Sequence, residues 1–196
     1  MFALQPHYEL GAARRWWPLQ RPSERISGLE LAMLLVAGSL AAVAVATLPL
    51  SLRVPGHAIL RGTLPMVFGM ALVPRRFSGC IMAIGAIATF AGMTGVGLAR
   101  WQPAPAVALF ALGPAIDIAM LGSSASGWWL YLRFALAGVL ANSLAFVVRM
   151  AIFVYQLNEV RPRALDQFGI GVYLSYAACG AIAGLLGAAM CFRASL

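Results

Sequence analysis

Four polar residues fall within otherwise apolar stretches of this chain: Asp117, Arg133, Asn142 and Arg149. An ionisable group in such a setting is expensive to desolvate, so each needs a partner or a task. Asp117 and Arg133 flank the connector Gly122-Ser-Ser-Ala-Ser-Gly127. If the flanking segments form a helical hairpin centred near Ala125, both lie roughly 8 Å from its closed end at about 1.5 Å per residue. The spacing predicts a structural ion pair, Asp117 with Arg133, that pins the hairpin. A ligand-binding or proton-carrying carboxylate is the other reading of Asp117.

Asn142 and Arg149 are seven residues apart, two turns along one helical face. Two readings are open for Arg149: its long side chain snorkels toward a polar boundary, or it lines a polar cavity with Asn142. In the second case Arg53, His57 and Arg61 lie near the mouth of the cavity, with Trp101, Tyr155, Tyr173 and Tyr176 at similar depth. An interfacial belt accounts for those aromatics equally well. Cationic donors beside stacking rings suit a small, planar or anionic organic solute. The candidate ligand-binding set is therefore Arg149, Asn142, His57, Arg53, Tyr173 and Tyr176.

Other chemistries lack their residues. The two histidines, His7 and His57, leave the Ser-rich connector without a downstream base, which argues against an intramembrane serine protease. They are too few and too close to the N-terminus to suit haem. Cys80, Cys179 and Cys191 lie in apolar surroundings with no CxxC, as small buried hydrophobes do. No cluster of His, Cys and acids suits a metal, and no GxxxxGK[ST] loop suits a nucleotide. The expectation is a protein that is not an enzyme, with no catalytic residues and no metal; no cofactor is identified.

The elements that must position these residues follow from composition. Of 196 residues, 62% are hydrophobic and 10% charged, with a mean hydropathy of +0.86. A soluble domain of this size carries roughly 25% charged residues, so the apolar excess calls for lipid. The formal charge of +8 comes from arginines scattered between apolar runs, without the stripe that nucleic acid requires. The pattern predicts an all-α polytopic membrane protein, a bundle of six transmembrane helices. Residues 1–28 form a cytoplasmic Arg- and Trp-rich lead-in in which Trp16 and Trp17 anchor beside Arg14, Arg15, Arg21 and Arg25. Residues 29–192 form the transmembrane domain, and 193–196 a cytoplasmic tail.

The spans are expected at 29–52, 58–74, 79–99, 103–122, 128–157 and 169–192, each near the ~20 residues that a bilayer requires; the second is short and the fifth long. Breakers or charges mark the boundaries: Pro55-Gly56, Pro74-Arg75-Arg76, Arg100 with Pro103, and Arg161-Pro162-Arg163. Orientation follows from arginine placement. An N-in, C-in arrangement puts Arg14, Arg15, Arg21, Arg25, Arg75, Arg76 and Arg193 inside, with Arg133 near that face. Arg53, Arg61, Arg100, Arg161 and Arg163 then lie outside. The compartment is expected to be a bacterial cytoplasmic (inner) membrane.

Small residues at four-residue spacing mark close helix approach in lipid: Gly38, Ala42 and Ala46; Gly180, Gly184 and Ala188; Ala88 and Gly92. Packing within the bundle and contact with a partner helix are both open for each ladder. With its size, span count and missing nucleotide site, the chain resembles the substrate-binding (S) subunits of energy-coupling factor (ECF) transporters. In that family an AxxxA-type ladder on the first span meets the coupling subunit, and Ala42-Val-Ala-Val-Ala46 matches it. The resemblance implies capture of a vitamin-like micronutrient, with Ser51 to Ile59 helping to close the site, and a membrane partner joined to two ATPases. The alternative is a non-catalytic scaffold or accessory subunit of a larger membrane complex, similar in size and span count to MreD-type cell-shape proteins. A proton-coupled carrier using Asp117 is a third reading, without the repeated halves such carriers show.

Overall fold

The computed structural model describes residues 26–48, 54–100, 102–121, 128–156 and 169–192. Residues 1–25 of the lead-in, Arg53, Trp101, Arg161, Arg163, Arg193 and the Ser-rich connector lie outside these residues. Six helices follow one another: α1 (Gly28–Thr47), α2 (Ala58–Leu72), α3 (Ser78–Gly95), α4 (Pro103–Ala119), α5 (Trp128–Gln156) and α6 (Ile170–Cys191). Among the described residues no strand interrupts them. Four of the six, α1, α3, α5 and α6, are long and apolar enough to cross a membrane, whereas α2 and α4 are shorter.

Local chemistry sets the ends. A capping box opens α1: Ser27 Oγ accepts from the Glu30 N–H, and the Glu30 carboxylate accepts from the Ser27 N–H at 2.8 Å. The helix stops at Thr47 rather than at residue 52, because Leu48 precedes Pro49 and adopts the extended backbone that a following proline favours. Pro74 acts in the same way on Val73 at the end of α2. Gly97, at φ +75°, turns the chain out of α3, and the Leu98 N–H reaches back to the Met93 carbonyl at 2.8 Å. Pro103 opens α4 at the position where its missing N–H is not required.

Around the bundle the order is α1, α3, α4, α5, α6, α2 and back to α1. Successive helices run in opposite directions along the chain, so that within the ring α1 lies parallel to α3 and α2 parallel to α6. Ser27, the starts of α3 and α5 and the end of α6 gather at one end, here called proximal. The α1–α2 and α3–α4 connections lie at the other, distal end. The described chain therefore begins and ends at the same end.

Close approach of backbones holds the ring together. Gly79 and Gly113 join α3 to α4 so tightly that a Cβ at either would strike the other's carbonyl. Gly138 and Gly180 do the same for α5 and α6. Gly184 lies against the Phe134 carbonyl, and Gly38 against that of Met82. The interior is lined with alanine, methionine and leucine. Large apolar side chains point outward on every long helix: Val36 and Leu40 on α1, Ile84 on α3, Leu136 and Leu140 on α5, Leu186 on α6. An apolar exterior on helices that satisfy their own backbone groups is what hydrocarbon tolerates.

Candidate functional site: a cationic pocket at the distal end

Prolines interrupt two of the helices that wall the distal pocket. Pro65 in α2 and Pro114 in α4 each remove a backbone donor from the helix interior. The distal half of α2 leaves a gap toward α4 and α5, and a cavity of about 630 Å³ occupies it. Four elements and the α1–α2 connection form its walls.

The connection contributes Val54 to His57. Gly56 has a φ of +84°, and a Cβ there would come within 2.8 Å of the Tyr176 ring, so glycine meets two demands at this position. His57 precedes α2 and approaches the Val54 carbonyl through Nδ1 at 2.7 Å. A carbonyl can only accept, so the hydrogen sits on Nδ1, and Nε2 of the neutral ring is left as an acceptor. One turn into α2, Arg61 lines the cavity and donates from Nη1 to the Leu48 carbonyl that ends α1. Its Nε–H is buried with no acceptor among the described residues.

The facing wall comes from α5 and α6. Asn142, 2% exposed, uses Nδ2 twice, donating to the Gly56 carbonyl at 3.0 Å and to the Tyr176 carbonyl at 2.7 Å. One amide therefore ties the connection, α5 and α6 together. Two turns further along α5, Arg149 donates to the Tyr176 hydroxyl at 2.9 Å. That oxygen accepts from the guanidinium, so its own hydrogen remains to donate elsewhere. The Ser175 hydroxyl lies between two carbonyls, that of Val172 at 2.7 Å and that of Pro55 at 3.2 Å, and shares its one hydrogen between α6 and the connection. Gln102 and the stretch Pro103 to Pro105, with Ala108, complete the lining from α4.

Of the candidate ligand-binding residues, Asn142, Arg149, His57 and Tyr176 line one cavity, and Arg61 from the predicted mouth joins them. Tyr173 does not. It is 39% exposed and packs edge-on against Phe146, with centroids 5.5 Å apart. Phe146 meets Tyr176 in the same way on the side nearer the cavity. Tyr155 is 85% exposed, as a belt residue would be. The α4 contribution from Gln102 to Ala108 has no polar signature beyond Gln102 and was not legible in the sequence.

The proximal end corrects two expectations. Asp117 does not pair with Arg133. Its carboxylate, 6% exposed, accepts from the Gly79 N–H at 3.1 Å and the Cys80 N–H at 2.8 Å. It thus caps the start of α3 from a neighbouring helix, where unsatisfied N–H groups and the helix dipole favour an anion. Contact between Gly79 and Gly113 brings that helix start onto the carboxylate, whereas matching depth in the α4–α5 hairpin does not direct Asp117 toward α5. The Arg133 Nη1 is buried without a partner among the described residues.

The ion pair present among the described residues joins Arg75 to Glu30, with contacts of 2.9 to 3.1 Å from Nε and Nη2. Arg75 is 1% exposed, so a residue expected to be a loop charge is part of the interior. Glu30 was missed as its partner; the signal available was Ser27-Gly-Leu-Glu30, a capping-box pattern that places Glu30 at a helix start. The ladder Gly38, Ala42 and Ala46 is likewise used inside the molecule. Gly38 abuts α3, Ala42 is wholly buried and Ala46 is half-buried against the core, so this face is closed to a partner helix. Ala88 and Gly92 face outward instead, with nothing within 4 Å of a Cβ built on Gly92.

Comparison with protein-family models, with curated proteins and with solved structures finds no match to this chain.

Proposed function

We propose that this protein is a solute-capture subunit of a bacterial inner-membrane importer, crossing the bilayer six times with both ends cytoplasmic. The distal pocket takes a small organic solute from outside, and separate ATPase subunits, joined through a membrane partner, supply the energy. This is the role played by the S subunits that the chain resembles. One observation carries the reading: Arg149 and Asn142 converge with Arg61, His57 and Tyr176 on a cavity of about 630 Å³. That volume lies within the roughly 300–1,000 Å³ of small-molecule sites, and its polar groups sit at depths where charge is retained for a purpose.

The test is a comparison of bound material. The full chain, purified from membranes in mild detergent, is denatured and its extract analysed by mass spectrometry. The expected result is a stoichiometric small molecule that falls by about tenfold or more in Arg149→Ala, the loss typical of a charged hydrogen bond. An empty extract from folded protein, with no solute able to shift its thermal midpoint, contradicts the proposal.

A scaffold role is the second reading, and the outward face at Ala88 and Gly92 favours it, since small residues permit a partner helix to approach. Co-purifying proteins separate the two. An ATPase pair supports import, and wall-synthesis or respiratory proteins without a bound solute support the scaffold.

A further inference from the structure

We infer that the distal pocket selects an organic anion with two acceptor groups, an acidic group held by Arg61 and a second acid or carbonyl held by Arg149 with Tyr176. The inference rests on the capture reading above and names the class of solute. Three observations carry it. Among the described residues the lining holds two guanidinium groups and an imidazole but no Asp or Glu, so within them neither a cation nor a zwitterion's ammonium group finds a counter-charge.

The two cationic points are also separately prepared. Arg61 is held by its bond to the Leu48 carbonyl. Its guanidinium belongs to the cavity wall, and a carboxylate or phosphate oxygen is the acceptor that such a group binds most strongly. On the opposite wall, Arg149 directs Tyr176 by donating to the phenol oxygen, which turns the hydroxyl hydrogen away as a further donor. His57, held at Nδ1 by the Val54 carbonyl, adds its ring as a further polar point.

Between these points the wall is apolar, formed by Pro103, Ala104, Ala108, Ala145 and Ile152. An apolar or planar body bearing acceptors at two separated positions matches the arrangement. A compact inorganic ion would leave most of the cavity unfilled.

The experiment uses the full chain in non-ionic detergent at low, fixed ionic strength, with four probes on one ring system: terephthalate, benzoate, benzamide and benzyltrimethylammonium. Thermal stabilisation is measured for each. The expected order places terephthalate first and benzoate second, with the amide and the ammonium compound giving no shift. Arg61→Gln and Arg149→Gln should each reduce terephthalate stabilisation to the level of benzoate, a loss of about tenfold or more in affinity. If either variant does not fold, Arg61→Lys or Arg149→Lys replaces it; the charge is retained and the two-pronged geometry lost, so terephthalate should again weaken.

Equal stabilisation by the amide or the ammonium compound overturns the inference, as does a terephthalate shift that survives both substitutions. A neutral or cationic solute extracted from the purified protein also overturns it while leaving capture intact. Absence of any probe shift together with an empty extract overturns both.

Discussion

At the scale of single residues, the polar groups divide into those that close the structure and those left facing the cavity. Asp117 belongs to the first kind. Its two oxygens are occupied by the Gly79 and Cys80 N–H groups, which makes it a cap supplied in trans to α3. Asp117→Asn removes one of the two acceptors and places a donor against an N–H, so a loss of about 1–3 kcal/mol is expected. Combined with Arg133→Ala in a double-mutant cycle in detergent, the coupling energy should stay below about 0.5 kcal/mol, as for sites without a shared partner. A coupling well above that would restore the ion pair. The spacing of Asn142 and Arg149 on one face was legible because a seven-residue interval fixes direction within a single helix. The partners of Asp117 and Arg75 were not, because they depend on which helix lies alongside, and that is decided by glycines in other segments.

At the scale of elements, helix identity was written in hydropathy and helix contact was written in small residues. Every helix begins within a residue of its expected start, since Ser27, Pro103 and the Trp128-Trp129 pair mark entries plainly. The ends are shorter than expected where Pro49 and Gly97 stop apolar runs that continue past the helix. Ladders were visible, but their faces were not. Gly180 and Gly184 bind α6 to α5, and Gly38 binds α1 to α3, whereas Gly92 meets nothing. The contrast is measurable. Gly180→Ala pushes a methyl group into the Gly138 carbonyl, and neither backbone can yield without separating α5 from α6. A destabilisation of about 1–3 kcal/mol is expected from such overpacking. Gly92→Ala, in open space on a helix, should fall within about 0.5 kcal/mol of the parent protein. Similar effects at both sites would contradict the packing described.

At the scale of the whole molecule, the six helices form a ring whose proximal end is closed by direct contacts. Arg75 with Glu30, Asp117 on α3, and Phe134 stacked on Phe192 at 5.4 Å all lie there. The distal end is open enough to hold a cavity because α2 is short and contacts α4 and α5 only sparsely. Polarity is therefore built into the bundle, one end sealed and the other receptive. In the proposed N-in, C-in orientation, which rests on the arginine bias, the receptive end faces outward.

Sidedness of the pocket is the most direct test. In a chain with Cys80, Cys179 and Cys191 replaced, Ala104→Cys places a thiol on the pocket wall and Leu121→Cys places one at the proximal end. A membrane-impermeant thiol reagent applied to intact cells is predicted to label the Ala104→Cys protein and to spare the Leu121→Cys protein until the membrane is opened. Labelling of Leu121→Cys from outside, with Ala104→Cys protected, would contradict the account.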